Sequence, residues 1–325
     1  MKNKPIIIVA GEPFSIFLEI LFKSKKKFRS KNPILLIVSK KLLIKQMKKL
    51  KFNFKINEIN KDKINFNKLD NKNINLINVD FKFKDVFGKI SNNSNSYINN
   101  SFNLALRLLR EKKFSGLING PISKKNFLKQ KFFGITEYLA DKTNKKNKVV
   151  MLIYNKNLSV SPITTHLPLK NVHKYLTKEK IINQVKLINK FYKKRFNKIP
   201  KIAITGLNPH CESNYKSSEE DRIIKPAIKS LINLGYNVKG PFAADTIFMK
   251  ENYKNFNVVV GMYHDQVLTP MKSLFGFNAI NITLGLPFIR ISPDHGPNNE
   301  MLGKNISDPK SLFLSINFFK KLDEN

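Results

Sequence analysis

Three histidines each stand just after an apolar run of strand length. His166 lies in Thr164-Thr165-His166-Leu167-Pro168-Leu169, His210 in Gly206-Leu207-Asn208-Pro209-His210, and His264 in Met262-Tyr263-His264-Asp265-Gln266. Imidazoles converging from separate strand ends can hold a divalent metal and leave a position open for substrate. Their spacings of 44 and 54 residues are not a local ligand motif. Each histidine taken singly also suits an ordinary loop position with one hydrogen bond. Asp265, next to His264, is a carboxylate able to orient a ligand imidazole. Lys272, Asn281 and Arg290 recur at nine-residue intervals. A lysine, an amide and an arginine are the groups a phosphate or carboxylate would want. Lysine is abundant here, so Lys272 alone says little. Arg290 says more, because it is one of only six arginines and sits in an otherwise apolar segment where an unpaired charge is costly. His173 and His295 fall outside these patterns. Cys211 follows His210 directly and reads as a small reduced side chain rather than a nucleophile.

Further turn-rich blocks close other strand-like runs: Asn119-Gly120-Pro121-Ile122-Ser123-Lys124, Gly134-Ile135-Thr136-Glu137 and Pro241-Phe242-Ala243-Ala244-Asp245-Thr246. Ligands of open α/β sheets bind at such strand ends. There is no Gly-x-Gly-x-x-Gly after a strand, no Gly-Lys-Ser/Thr phosphate loop and no Gly-x-Ser-x-Gly elbow.

The elements that must position these residues alternate along the chain. Strands are expected at Pro5–Val9, Pro33–Val38, Asn73–Val79, Phe114–Ile118, Val149–Tyr154, Val160–Thr164, Lys201–Thr205, Val258–Gly261 and Ala279–Thr283. Helices are expected at Lys40–Leu50, Ser101–Glu111, Lys178–Phe196, Ser218–Leu234 and Asp265–Phe275. Ser91–Asn100 is expected to be a loop, and Lys51–Asn73 to lie on the periphery. This alternation predicts an α/β fold with a largely parallel sheet. The 325 residues suggest about two domains or lobes, at roughly 150 residues each.

One cysteine excludes a disulfide framework and any multi-cysteine zinc site within one chain. No apolar run reaches the roughly 18 residues of a membrane span. The basic, then apolar, N-terminus is broken at Glu12-Pro13, so it reads as a first buried strand and not a signal peptide, with a cytoplasmic address. The net charge is +36, from 59 basic and 23 acidic residues. Residues 1–200 carry +34 of it. The lysines accompany an excess of asparagine and isoleucine, as in Asn71-Lys72-Asn73-Ile74-Asn75, which reads as compositional drift over a solvated surface. Base and phosphate recognition favours arginine, and little is present, so no specific nucleic-acid site is expected.

These six blocks, with Asn281–Arg290 as a seventh, resemble in order the 4-hydroxythreonine-4-phosphate dehydrogenase family, almost end to end from Gly11-Glu12-Pro13 to Asp308-Pro309. Gly206–His210, Pro241–Thr246, Tyr263–Gln266 and Asn281–Arg290 followed by Asp294-His295-Gly296 are its most specific parts. The resemblance implies a two-lobed α/β/α fold of the isocitrate/isopropylmalate dehydrogenase kind, with a cleft between lobes at approximately 1–135 plus 286–325 and 136–285. It implies a homodimer with the active site shared between subunits. NAD or NADP would be the cofactor, with one divalent metal (zinc, magnesium or cobalt) on His166, His210 and His264. Substrate contacts would be Thr136, Lys272, Asn281 and Arg290. The base is left open among Lys272, Asp245 and Asp265, and no cofactor-binding residue is assigned. The implied reaction oxidises 4-phosphohydroxy-L-threonine to a β-keto acid that decarboxylates to 3-amino-2-oxopropyl phosphate, in pyridoxine biosynthesis. The sister activity on D-threonate or D-erythronate 4-phosphate is the nearest alternative. An inactive, basic nucleic-acid-associated protein is the more distant one.

The chain departs from the family at three places. Ile135 stands where the family has a histidine that contacts substrate. The segment Cys211–Ser218 replaces a longer glycine-rich loop. The opening block Gly11–Phe17 carries bulky or polar residues in place of alanine and glycine.

Overall fold

The computed structural model describes residues 3–27, 32–128, 131–132, 134–211, 217–276 and 278–323. The chain divides into two compact units, Met1–Asn147 with Leu286–Glu324, and Lys148–Gly285. The first segment runs past residue 135, because helix Ile135–Lys142 packs Tyr138 and Leu139 into the core of the first unit.

The first unit holds β1 (Ile6–Val9), β2 (Ile34–Val38), β3 (Ile56–Glu58), β4 (Ile74–Asn78) and β5 (Gly116–Asn119). The second holds β6 (Val150–Tyr154), β7 (Ser159–Thr164), β8 (Ile202–Thr205), β9 (Val238–Phe242), β10 (Val258–Tyr263) and β11 (Ile280–Leu284). The chain then returns to the first unit with β12 (Ile289–Ser292). In the first unit the strand order is β3-β4-β2-β1-β5-β12, and every pairing is parallel. Its central strands Ile-Ile-Ile-Val and Ile-Leu-Leu-Ile-Val are buried at every position, as strands covered on both faces must be.

In the second unit the order is β11-β6-β7-β10-β8-β9. β6 runs antiparallel to both neighbours, and β7, β10, β8 and β9 run parallel. A core built on Val160, Ala203, Val259, Val267 and Met271 fixes the inner face of these strands.

Several details differ from the sequence expectation. Helix Asn95–Arg110 starts inside the asparagine-rich stretch read as a loop, because Tyr97, Ile98 and Phe102 fall on one buried face. Lys51–Asn73 contains the three-residue edge strand β3. Ser218–Leu234 is two segments, a wide turn Glu220–Ile224 and helix Lys225–Asn233.

Candidate functional site

In the second unit the three histidines follow three adjacent parallel strands. His166 comes two residues after β7, His264 directly follows β10, and His210 lies in the turn after β8. Parallel strands end together, so one edge of the sheet presents all three turns. The rings of His166 and His264 lie 5.8 Å apart, centroid to centroid, tilted by 38°. Two imidazoles sharing a tetrahedral ion have centroids roughly 5 Å apart, so this pair stands somewhat wider than a shared ion would hold it. His264 Nδ1 lies 2.8 Å from Asp265 Oδ1. That contact orients the ring and leaves Nε2 as the outward nitrogen. Among the described residues no group of three or more His, Cys, Asp or Glu is gathered closely enough to hold an ion. His210 thus follows the neighbouring strand without joining the His166–His264 pair in a single-chain cluster.

His166 and His210 both adopt left-handed backbone, at φ 51° and 57°, and Cys211 follows at φ 60°. Such conformations are uncommon outside glycine, asparagine and aspartate, and they persist where the surroundings enforce them. Gly206 leaves room for this turn to pack closely. A Cβ there would sit 2.8 Å from Cys211 Sγ and 3.0 Å from Glu220 Oε1. Burial pushes the Cys211 thiol up from its usual range, consistent with a small inert side chain. The segment read as a shortened loop includes residues 212–216, which lie outside the described set.

The three base candidates differ in surroundings. Asp265 is engaged with His264. Asp245 is exposed on the short helix Ala244–Ile247 that follows β9. Lys272, in the last turn of helix His264–Phe275, has its ammonium pKa lowered by burial, which raises its neutral fraction. Asn281 stands on β11 opposite Ile153, and its Oδ1 is buried without a hydrogen-bond partner.

In the first unit the structure brings Arg290 and Thr136 together. Arg290 is fully buried on β12. Its Nε donates to Asn119 Oδ1 at 2.7 Å and its Nη1 to Thr136 Oγ1 at 3.3 Å. Burial lowers the guanidinium pKa to about 10, against support from the Glu137 carboxylate. It stays charged at neutral pH. Ile135 packs part-buried against the core of this unit.

Sequence reasoning gave no role to Glu12, Asn119, Glu137, Glu220, Gln266 or His295. Glu220 is a fully buried carboxylate in a chain with only 23 acidic residues, and that scarcity was the available signal. Gln266 and Asn119 sat inside the turn-rich blocks, but an amide's partners depend on tertiary packing.

The class these features define is an α/β protein that presents histidines from the carboxyl ends of parallel strands. A sequence model of the pyridoxal phosphate biosynthetic protein PdxA matches residues 29–318. A protein from Sulfurihydrogenibium sp. (strain YO3AOP1) named 4-hydroxythreonine-4-phosphate dehydrogenase is 41% identical over 322 residues, 96% of each chain. The crystal structure of 4-hydroxythreonine-4-phosphate dehydrogenase from Klebsiella pneumoniae superposes with TM-score 0.85 at 27% identity, covering 99% of this chain and 100% of that one. Isocitrate dehydrogenase from Methylococcus capsulatus shares the fold at TM-score 0.50 and 7% identity, covering 97% of this chain and 84% of that one. The chain belongs to the PdxA family. Among the described residues no helix is long and apolar enough to cross a membrane.

Proposed function

We propose that this chain oxidises 4-phosphohydroxy-L-threonine to the β-keto acid that decarboxylates to 3-amino-2-oxopropyl phosphate, in pyridoxal phosphate biosynthesis. It does so as a cytoplasmic homodimer with a shared active site. The observation that carries this reading is the placement of His166, His210 and His264 just beyond the carboxyl ends of the adjacent parallel strands β7, β8 and β10. Contributed by both subunits of the homodimer, these three imidazoles would hold one divalent ion (zinc, magnesium or cobalt), which when bound supplies Lewis acidity toward the substrate hydroxyl. NAD or NADP is the hydride acceptor, and no residue is assigned to holding it.

The chain's own residues divide the remaining work. The hydroxyl proton goes to one of Lys272, Asp245 and Asp265, of which half-buried Lys272 is the one whose charged form burial disfavours. Asp265 orients His264 through Nδ1. Asn281 offers a buried acceptor oxygen to a substrate donor. Thr136 and Arg290 hold an anionic end of the substrate, with Asn119 and Glu137 fixing the guanidinium.

The test follows nicotinamide absorbance with NAD and 4-phosphohydroxy-L-threonine, with and without a chelator. Chelator-sensitive reduction, restored by added metal, is expected. His210→Ala should lower kcat at least 1,000-fold, on the order expected for losing a metal ligand, while the circular dichroism spectrum is retained. Near-normal turnover in that variant would sink the metal assignment. 4-Phospho-D-erythronate and 4-phospho-D-threonate run beside it, because Ile135 offers no hydrogen bond and packs into the core. Turnover of the sugar acids alone would reassign the chain to the sister activity.

A further inference from the structure

Helix Ile135–Lys142 of the first unit brings two adjacent side chains to one buried guanidinium. Thr136 Oγ1 accepts from Arg290 Nη1 at 3.3 Å, and the Glu137 carboxylate acts on the same group through its charge. Asn119 Oδ1 accepts from Arg290 Nε at 2.7 Å. Each of these contacts holds or balances the arginine. One atom is left over. Glu137 Oε2 is buried and has no hydrogen-bond partner.

A buried carboxylate oxygen without a donor is costly, because it has left water and found no replacement. Balancing Arg290 accounts for the charge of Glu137. It does not account for Oε2, since charge acts through space while a lone pair needs a donor. The neighbouring Ile135 packs against the core and supplies none. An acceptor kept open beside a guanidinium is matched to a donor that arrives with the ligand.

The proposed substrate carries its carboxylate and its ammonium on the same carbon. A guanidinium and a neighbouring carboxylate are the complement of that pair. We propose that Glu137 is a specificity-determining residue: its Oε2 accepts from the substrate ammonium while Arg290 and Thr136 hold the adjacent carboxylate, so the chain prefers an α-amino acid phosphate to the corresponding hydroxy acid. The phosphates of D-threonate and D-erythronate offer a hydroxyl on that carbon. Its neutral hydrogen bond is about half as strong as a charge-assisted one. A hydroxyl also brings no positive charge to offset Glu137. This inference rests on the proposed function for the identity of the substrate, and on the unpartnered oxygen near Arg290 for the residue that reads it.

The experiment uses the full chain at one fixed magnesium concentration. The probes are 4-phosphohydroxy-L-threonine, 4-phospho-D-erythronate and 4-phospho-D-threonate. Dissociation constants come from calorimetric titration, which needs no turnover, and kcat and KM are measured beside them. Glu137→Gln removes the charge at nearly unchanged volume. Glu137→Asp keeps the charge near Arg290 and withdraws the oxygens by one methylene. Asn119→Ala is the positioning control. It removes the acceptor of Arg290 Nε, and so acts through Arg290 on the carboxylate that every probe shares.

The parent should bind the amino probe more tightly than either hydroxy acid. Glu137→Gln should weaken binding of the amino probe about 10- to 100-fold, with KM rising more than kcat falls. Its preference for the amino probe over the hydroxy acids should drop about 10-fold or more. Glu137→Asp should lose part of the same preference. Asn119→Ala should weaken all the probes alike and leave the preference as in the parent. If circular dichroism shows that Glu137→Gln does not fold, Glu137→Asp decides the matter. A parent-like preference in the Glu137 variants, with or without parallel losses like those of Asn119→Ala, would overturn the proposal and leave Glu137 as a counter-charge to Arg290. A parent that binds the hydroxy acids and refuses the amino probe would overturn the functional reading, and the ammonium role with it.

Discussion

At the scale of single residues, Glu12 and Arg290 are buried charges with opposite consequences. Glu12 is 2% exposed, and burial pushes its carboxyl up from 4.5 to about 7, against hydrogen bonds from Ser94 and the Phe14 N–H. The folded protein therefore keeps a proton that the unfolded chain has released. Its contribution to stability is complete below pH 4.5 and is lost as pH rises toward 7. The loss amounts to roughly 3 kcal/mol. Glu12→Gln should remove that loss, so urea unfolding should show the variant gaining on the parent between pH 5 and pH 8. His295 slopes the other way, because burial lowers its pKa and protonation below its usual 6.5 opposes folding. Comparing parent with variant cancels that contribution. Arg290→Met should cost about 3–5 kcal/mol in the same measurement, since it strands Asn119 Oδ1 and the Glu137 charge that supports the guanidinium. A loss under 1 kcal/mol would show that the guanidinium is not structurally needed.

At the scale of elements, the close approach of loops is decided by glycine. A Cβ on Gly120 would lie 2.1 Å from the Ala10 carbonyl oxygen, where the turns after β1 and β5 meet and Glu12 N–H donates to the Pro121 carbonyl. Backbone cannot yield there as a side-chain tip can. Gly120→Ala should therefore destabilise by roughly 2 kcal/mol or more. Gly235→Ala meets nothing within 4 Å and should cost only about 1 kcal/mol for its left-handed backbone. Equal melting-temperature losses in the two variants would refute the steric argument. The longest helix was legible from sequence. Lys178–Phe196 begins at Thr177, whose side chain accepts from the Lys180 N–H, and carries Ile181, Val185, Ile188 and Tyr192 on one face. β9 was not legible, because Val-Lys-Gly-Pro-Phe contains glycine and proline and survives only as the edge strand beside β8.

At the scale of the whole molecule, the +36 charge acts on stability through self-repulsion. Screening lengths shrink to about 10 Å near 0.1 M salt, so added salt relieves repulsion among exposed lysines. The melting temperature should rise by several degrees between 20 and 300 mM sodium chloride, and a flat profile would show that the charges are already locally paired. Binding to DNA should be weak, indifferent to sequence and lost over the same salt range.

The sequence by itself determined the alternation of strands and helices, because apolar runs and helical spacing are local patterns that burial enforces wherever they occur. It also determined which side chains stand at strand ends. Arg290 was legible as a buried charge, since a scarce arginine in an apolar segment has to find partners. Which partners it found, Asn119 and Thr136, depended on β5 and helix Ile135–Lys142 arriving from 171 and 154 residues away. The same holds for His166 and His264, which become a pair only because β7 and β10 are neighbours in the sheet. Glu220, which accepts from the N–H groups of Leu207 and Asn208, and Gln266, which donates to the Gly206 carbonyl, were invisible for that reason. A carboxylate or amide gains a role only when the backbone groups it satisfies are carried to it, and strand order, which no local pattern encodes, does the carrying.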